Sequence, residues 1–309
     1  MPSTSTAVRP AYRPYEAEVA RVERLSPHFV RVTFTAEAFE DFGTARRDQR
    51  IKLVLPHSDG SFADIGQDEA AGDWYDKWRA LPSAARNLFR TYTVRRIDPA
   101  RRELAVDFVI HHDAGPAGSW AQDAAPGRRM IVVGPDARSP YADSGLDWHP
   151  GTARRVLLAG DETAVPAIAA ILESLGGEYE ADVFLEVPAA ADILELAHGP
   201  RTRMTWLARG ERPHGAELIE AVTRWTAEAR PLLERAAAPR RQELADIDVD
   251  LELLWDSPAD GEGEFYAWIA GEAATVKTLR RLLVTTHGVD RTRVAFMGYW
   301  RLGQAERIE

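Results

Sequence analysis

The first half of the chain runs in short stretches where apolar and polar residues alternate, bounded by Pro, Gly and Asp. "YEAEVARVERLS", "FVRVTFTA", "RIKLVLP", "TYTVRRID", "ELAVDFVIH" and "RMIVVGP" are rich in β-branched and aromatic residues at a spacing near two, as in a strand with one buried face. Six such strands predict a closed antiparallel six-stranded β-barrel over residues 15–150, an arrangement that leaves no sticky sheet edge. The stretch from Pro56 to Arg90 is polar, with a short helix expected around "DWYDKWRAL". Residues 1–14, rich in Ser, Thr and Pro and without a basic segment leading into an apolar one, read as a loose disordered tail rather than a secretory signal.

The pattern changes after "GPDARSPYADSGLDWHPGT", and a domain boundary is placed near Pro150. Strand "RVLLAG", helix "TAVPAIAAILESL", strands "DVFLEV" and "RMTWLA", helix "AELIEAVTRW" and a helical stretch to about Ala245 come next. Strand "EFYAWIAG", helix "EAATVKTLRRLLVTTH" and strand "RVAFMGYW" complete residues 151–309. Near-continuous apolar strands alternating with helices predict a parallel sheet covered on both faces, an α/β nucleotide-binding domain.

Composition narrows the chemistry. With 309 residues and 45% apolar content, the chain can fill two cores. A net charge of −10 argues against nucleic acid as a partner. The absence of cysteine removes disulfides, thiolate nucleophiles and Cys-held iron–sulfur clusters. Redox chemistry would therefore need a bound organic cofactor or a metal held by N and O ligands, and no motif marks a metal site. No run approaches the roughly 18 apolar residues of a membrane span, so the expectation is a soluble cytoplasmic protein.

"RTYTVR", Arg90–Arg95, is a strand with arginines at its ends and a phenol between. Arg90 and Tyr92 are two apart and share a face, so one can hold a phosphate while the other stacks on a flavin ring. Thr93 can serve flavin N5 through its hydroxyl or its backbone N–H. The same residues would suit an amphipathic barrel strand with solvated arginines. "FVIHHDAGPAGSWA" leads from a strand into a helix expected near Gly118, and its small residues leave backbone N–H groups open to an anion. Adjacent His111 and His112 point to opposite faces, so they do not make a metal site. "LLAGDETAVPAIAAIL" puts a strand end at Gly160 and a helix with Thr163 as N-cap and Pro166 in its first turn. "WIAGEAATVKTLRR" repeats this at Gly271. Such turns at carboxyl ends of strands could bracket a nicotinamide dinucleotide, or be ordinary βα turns.

"RTYTVR", "HHDAGPAGSWA", "AGDETAVPAI" and "AGEAATVKTLRR…GYWRLG", in that order, resemble the siderophore-interacting proteins, FAD-dependent ferric-siderophore reductases of the ferredoxin-reductase-like superfamily. The resemblance spans Tyr15 to Gly303. It implies an FAD-binding barrel and an NAD(P)H-binding α/β domain, reducing chelated Fe(III) so that the siderophore releases Fe(II). Carried over residue by residue, Arg90, Tyr92 and Thr93 match the flavin-contacting strand. His111 and the turn Gly115, Ala117, Gly118, Ser119 and Trp120 match the phosphate-binding segment. Asp161, Glu162, Thr163, Ala164, Gly271, Glu272 and Ala273 match the pyridine-nucleotide loops.

Lys52 and Arg301 match cations that draw in an anionic ferric complex, or they are a snorkelling edge lysine and a surface arginine. The family's third cation follows "VVGP" directly; here that place is Asp136, and Arg138 is the nearest cation. The family's Ser-Arg before the tryptophan is Gly118–Ser119. NADPH is favoured over NADH by the resemblance, with Arg209 the candidate for the 2′-phosphate and Arg201 or Arg203 beside it. A ferredoxin is a further candidate donor. Two other readings stay open: a flavin reductase or ferredoxin-linked electron-transfer flavoprotein with another substrate, and a non-redox iron-chelate binding protein.

Overall fold

The computed structural model describes residues 9–67, 72–111, 115–244, 254–258 and 262–304. Of the expected tail, residues 1–8 lie outside these. Tyr12, Arg13 and Pro14, also assigned to the tail, already belong to the first strand. Contacts divide the chain into two units between Leu146 and Asp147, with Leu25–Phe29 counted in the second.

The first unit contains strands β1 (Tyr12–Arg24), β2 (Phe29–Thr35) and β3 (Arg50–Val54), and helix α1 (Trp74–Ala80). Strands β4 (Phe89–Thr93), β5 (Arg96–Asp98) and β6 (Glu103–Val109), helix α2 (Pro116–Gln122) and strand β7 (Arg129–Pro135) follow. They form one sheet of seven strands, ordered β4-β3-β7-β1-β2-β6-β5. The six expected strands become seven because "TYTVRRID" is two strands, not one. β4 and β5 lie at opposite ends of this order yet are joined by Val94 and Arg95 alone. A flat sheet would separate its edge strands by roughly 29 Å, whereas that link spans at most about 11 Å. The sheet must therefore curl until its edges meet. Val94 N–H donates to Gln49 O (2.9 Å), just before β3, and Arg95 N–H donates to Ala105 O (3.0 Å) on β6. Neighbouring residues thus bond to the two opposite margins.

Inside the curl, Tyr15, Phe34, Phe39, Phe42, Ile51, Leu53 and Phe108 are buried in one core. A smaller cluster, including Trp78, Phe89, Ile131 and Val133, is covered by the 56–88 connection. Asn87 fixes that connection: its Nδ2 donates to Leu55 O (2.9 Å), and its Oδ1 accepts from Ala63 N–H (2.8 Å). Trp78 Nε1 donates to Asn87 O (2.9 Å). These bonds satisfy groups that would otherwise be buried without partners, and they hold the ends of β3 and β4 at a defined separation.

The second unit contains β8 (Arg155–Gly160), α3 (Val165–Ser174), β9 (Glu180–Val187), β10 (Thr202–Ala208), α4 (Ala216–Glu228) and α5 (Arg230–Arg235). It continues with β11 (Trp255–Asp256), β12 (Phe265–Glu272), α6 (Ala273–Arg280) and β13 (Val294–Trp300). The sheet order is β10-β9-β8-β12-β13-β11. Its five long strands are parallel, as their unbroken apolar character predicted, but β11 runs antiparallel to β13, so the sheet is mixed rather than wholly parallel. The helical stretch expected to about Ala245 ends at Arg235, and Ala245 itself lies outside the described residues.

From β8 the chain builds outward through β9 to β10, and β12 later returns to β8's other side. The space beyond the carboxyl ends of β8 and β12 is therefore the switch point where open α/β sheets take their ligands. Gly160 ends β8 there because a Cβ would lie 2.6 Å from Ala270 O, across the strand pair.

Candidate functional site

In β4 the register sets Arg90 opposite Leu53, Thr91 opposite Lys52 and Tyr92 opposite Ile51. Arg90 and Tyr92 thus share a face, as alternation requires, and Tyr92 rests on Phe108 with ring centroids 4.6 Å apart, its own ring half-buried. Arg90 Nη1 donates to Phe89 O (2.8 Å). Thr93 is buried on the opposite face, which leaves its backbone N–H as the route by which it could meet a ring stacked on Tyr92. Lys52 also projects from that opposite face, with Nζ donating to Thr91 Oγ1 at 2.6 Å.

α2 starts at Pro116, two residues before the expected Gly118, because proline suits the first helical turn. Ala117, Gly118 and Trp120 are buried, whereas Gly115 and Ser119 are exposed. His111 is half-buried beyond β6, and His112 lies outside the described residues. At this end of the curled sheet a cavity of about 390 Å³ is lined by Leu55, His57, Arg86, Leu88, Trp120 and Arg128, among others. Among the described residues its lining holds two arginines and a histidine and no carboxylate. The indole Nε1 of Trp120 is buried without a hydrogen-bond partner among the described residues. Leu55 N–H donates to Leu88 O (2.7 Å), so the two leucines of the cavity wall extend the pairing of β3 with β4 beyond Leu53 and Arg90. Donors, cations and an apolar floor fit the anionic part of a dinucleotide.

At the switch point of the second unit, Asp161 ties three strand ends together. Its Oδ1 accepts from Thr163 N–H (2.9 Å) and Thr163 Oγ1 (2.5 Å). Its Oδ2 accepts from Glu272 N–H (2.7 Å) and Trp300 Nε1 (2.9 Å). Thr163 was expected as the helix N-cap; that position is Ala164, and the Thr163 hydroxyl is used by Asp161 instead. The cap of α6 is Glu272, whose Oε2 accepts from Thr275 N–H (2.9 Å). Ala164 and Ala273 are buried beside these turns. Gly271 takes φ +144° between them.

Behind Asp161 lies a buried charge cluster. Arg209 grips Glu162 through both nitrogens, at 2.7 and 2.8 Å, and lies 3.5 Å from Glu186. Glu186 in turn accepts from Gly215 N–H (2.7 Å) and Leu218 N–H (3.0 Å) at the start of α4. His214 Nε2 lies 3.6 Å from both Asp161 and Glu162, an ion-pair separation longer than a hydrogen bond, and its ring meets Trp300 edge-on at 4.9 Å. Burial, joined by the Glu162 charge, pushes Asp161 up to about 6. Burial also raises Glu162, but the nearby His214 and the two hydrogen bonds from Arg209 outweigh it and hold that carboxyl down at about 2. Burial alone would lower His214, yet the two carboxylates leave it raised.

The site residues expected from the sequence therefore fall into two groups, one per unit. Among the cations, Arg138 is held by Asp136 (2.8 Å) and Asp41 (2.6 Å). Asp136 is a fully buried hub that also lies 3.3 Å from Arg13 and 3.8 Å from Arg9. Arg203 is bonded twice to Asp182, and Arg201 approaches Glu180 at 3.8 Å. Arg301 bridges to Gln304 at the end of the described chain. Sequence reasoning passed over Arg86, Arg128 and His214, which sit in connections without motif spacing, and Glu186, a lone acid inside the apolar strand β9. Trp300 lay inside the quoted "GYWRLG" and could have been found there.

Comparison with known proteins places these geometries in a lineage. Residues 18–139 match the siderophore-interacting FAD-binding domain and residues 153–303 match the siderophore-interacting protein model. An uncharacterized protein of Mycobacterium tuberculosis is 34% identical over 303 residues, covering 96% of this chain and 94% of its own. The NADPH-dependent ferric-chelate reductase of Escherichia coli is 30% identical, covering 95% of each. A siderophore utilization protein from T. fusca superposes with a TM-score of 0.69 at 27% identity, covering 96% of each chain. This chain is a member of the siderophore-interacting protein family, with its FAD-binding domain in the first unit.

Proposed function

We propose that this protein binds FAD in its first unit and uses NAD(P)H to reduce a ferric siderophore, so that iron is released as Fe(II) in the cytoplasm. FAD, when bound, supplies the exchange between a two-electron donor and a one-electron acceptor. The observation that carries this reading is the cavity lined by Arg86, His57 and Arg128, and by no carboxylate among the described residues, at the end of the strand pair that bears Arg90 and Tyr92. Tyr92 offers the ring face, Arg90 a guanidinium, and Thr93 a backbone N–H. The switch point beyond β8 and β12 is the seat for the nicotinamide dinucleotide, edged by the Asp161–Ala164 and Gly271–Ala273 turns, in which Thr163 alone is not buried. Arg209 spends its charge on Glu162, so the 2′-phosphate of NADPH would compete with a buried carboxylate there. Lys52 and Arg301 remain the candidates for drawing in the anionic chelate, whereas Arg138 is neutralised by two carboxylates.

The test is an anaerobic assay with a ferrous-specific chelator, supplying NADPH, NADH or a reduced ferredoxin in turn. Ferric siderophore, free flavin and ferricyanide are offered as separate acceptors. The expected result is a yellow preparation that produces Fe(II) from the siderophore with a nicotinamide donor. Faster turnover of free flavin than of any ferric chelate would favour the flavin-reductase reading. A colourless protein that refuses FAD yet binds the chelate would favour a non-redox carrier.

A further inference from the structure

His214 stands where the charges of the second unit converge, at the switch point beyond β8 and β12. The connection that carries it is pinned on both sides. Gly215, at φ +78°, donates its N–H to Glu186 Oε1 (2.7 Å), and a Cβ there would collide with Thr275 Oγ1. The imidazole side chain is only 9% exposed, and neither ring nitrogen has a hydrogen-bond partner among the described residues. Its Nε2 lies instead 3.6 Å from Asp161 Oδ2 and 3.6 Å from Glu162 Oε2, with the Trp300 ring edge-on to it.

The charged groups around it come from each neighbouring strand end. The turn after β8 supplies Asp161 and Glu162, β9 supplies Glu186, Arg209 follows β10, and β12 ends on Glu272. Glu272 is taken up in capping α6, and on His214's own connection Arg212 turns to Glu217 and Glu220. With a neutral imidazole, the ionised Asp161, Glu162 and Glu186 are met by the Arg209 guanidinium, which leaves a surplus of two negative charges. An imidazolium cuts that surplus to one, inside a buried cluster where charge is weakly screened. Asp161 carries the effect outward. It holds Thr163 through Oδ1 and the half-buried Trp300 through Oδ2, and both reach the surface of the switch point.

We propose that His214, as an imidazolium, is a positioning residue for the nicotinamide dinucleotide: it offsets the Asp161–Glu162 pair, so that the anionic dinucleotide binds more tightly to the protein protonated at this ring. The proposal rests on the NAD(P)H reading above. His214 acts through its charge and through Asp161, and gives neither proton nor electron to the dinucleotide. By reciprocity, the bound dinucleotide favours the imidazolium by the same factor. Burial works against the charged ring, but the two carboxylates raise its titration above the ordinary 6.5. The tight-binding form is therefore present at and below neutral pH and is lost as pH rises through that titration.

The experiment is stopped-flow reduction of the flavin-loaded full-length protein by NADH from about pH 6.5 to about pH 9, above the titration of Asp161 at about 6. NADH is preferred because its pyrophosphate keeps its charge throughout, whereas the 2′-phosphate of NADPH titrates near 6. The dissociation constant for NADH should rise about fivefold across that range, while the limiting rate of flavin reduction changes by less than about twofold. His214→Gln should bind NADH at every pH as weakly as the wild type does at the alkaline end. A second measurement needs the wild type alone: calorimetry of NAD+ binding near pH 7.5, in two buffers of different ionisation heat, should show uptake of a fraction of a proton. A wild-type dissociation constant that ignores pH, a dependence that survives in His214→Gln or one confined to the limiting rate would overturn the role of His214 and leave the NAD(P)H reading standing. Absence of proton uptake by the wild type would do the same, whether or not the variant folds. A flavin that neither NADH nor NADPH reduces would overturn both.

Discussion

Gly271 and Asp161 occupy each other's only room. A Cβ on Gly271 would lie 2.6 Å from Asp161 Oδ2 and 2.7 Å from its Cγ, and φ at Gly271 is +144°. The next residue's N–H donates to that same Oδ2 at 2.7 Å. Gly271→Ala must therefore strain its own backbone and also push the carboxylate off four donors. A destabilisation of roughly 2–4 kcal/mol is expected. Urea unfolding with flavin bound would measure it, and nicotinamide affinity should fall while flavin retention does not. A variant as stable as the parent, with unchanged NADPH affinity, would show that the contact is not tight.

Arg209 is tested in a different way. Glu162 is fully buried and takes both nitrogens of Arg209, so Arg209→Ala strands a buried carboxylate. Breaking such a pair from one side costs about 3–5 kcal/mol, whereas replacing both partners by neutral groups of similar size is often close to neutral. Arg209→Met combined with Glu162→Gln should thus be markedly more stable than Arg209→Ala. If Arg209 instead serves mainly the 2′-phosphate, Arg209→Ala would leave the melting temperature alone and shift only the NADPH to NADH ratio.

What the sequence revealed here follows the range of the forces involved. The alternation in β1 and the apolar runs of β8 and β12 are local and could be read directly. The break between β4 and β5 could not, because "RTYTVRRID" favours strand throughout. It is the meeting of two sheet margins at Val94–Arg95, with partners at Gln49 and Ala105, that divides it. β11 has two residues and so no period to detect. In the site, "GDET" was legible as a turn at the end of a strand. That Asp161 instead draws in partners 111 and 139 residues away was not, since no local spacing encodes them. Arg86 and Arg128 were missed for a related reason: they are far apart in sequence and meet at one cavity, which only three dimensions display.

The three candidate substrate cations are expected to separate experimentally. Arg138→Gln should leave the apparent KM for a ferric catecholate unchanged, because Asp136 and Asp41 already absorb that charge. Removing it should instead lower stability, since the fully buried Asp136 loses its bidentate partner. Lys52→Gln and Arg301→Gln should each raise that KM without loss of flavin absorbance, and the effect should shrink as salt is added. A raised KM for Arg138→Gln at unchanged stability would reverse the assignment.

Among the buried acids, Asp161 gives the protein a pH dependence of opposite sign to ordinary acid denaturation. Asp161 is pushed from 3.8 to about 6 by burial and by Glu162, so the folded state holds a proton that the unfolded chain gives up. Its contribution is fully present below the unfolded value of about 3.8 and is lost as pH rises through about 6. Glu162, held down at about 2 despite its burial, contributes in the other direction: its share is present above the unfolded value near 4.5 and is lost as pH falls through about 2. His214, raised by the same carboxylates, adds a further loss of stability as pH climbs past its ordinary value of 6.5. Other carboxylates obscure these trends in the whole protein, but a difference curve isolates Asp161. Asp161→Asn cannot accept from Glu272 N–H and Trp300 Nε1 as a carboxylate does, which imposes a constant penalty at every pH. On top of that offset, the gap between wild type and variant should narrow as pH rises from about 4 to about 6, because only the wild type suffers the ionisation cost. Denaturant unfolding of both proteins across that range measures the gap directly. A gap that widens with pH would mean the four donors outweigh burial and hold Asp161 ionised well below 6.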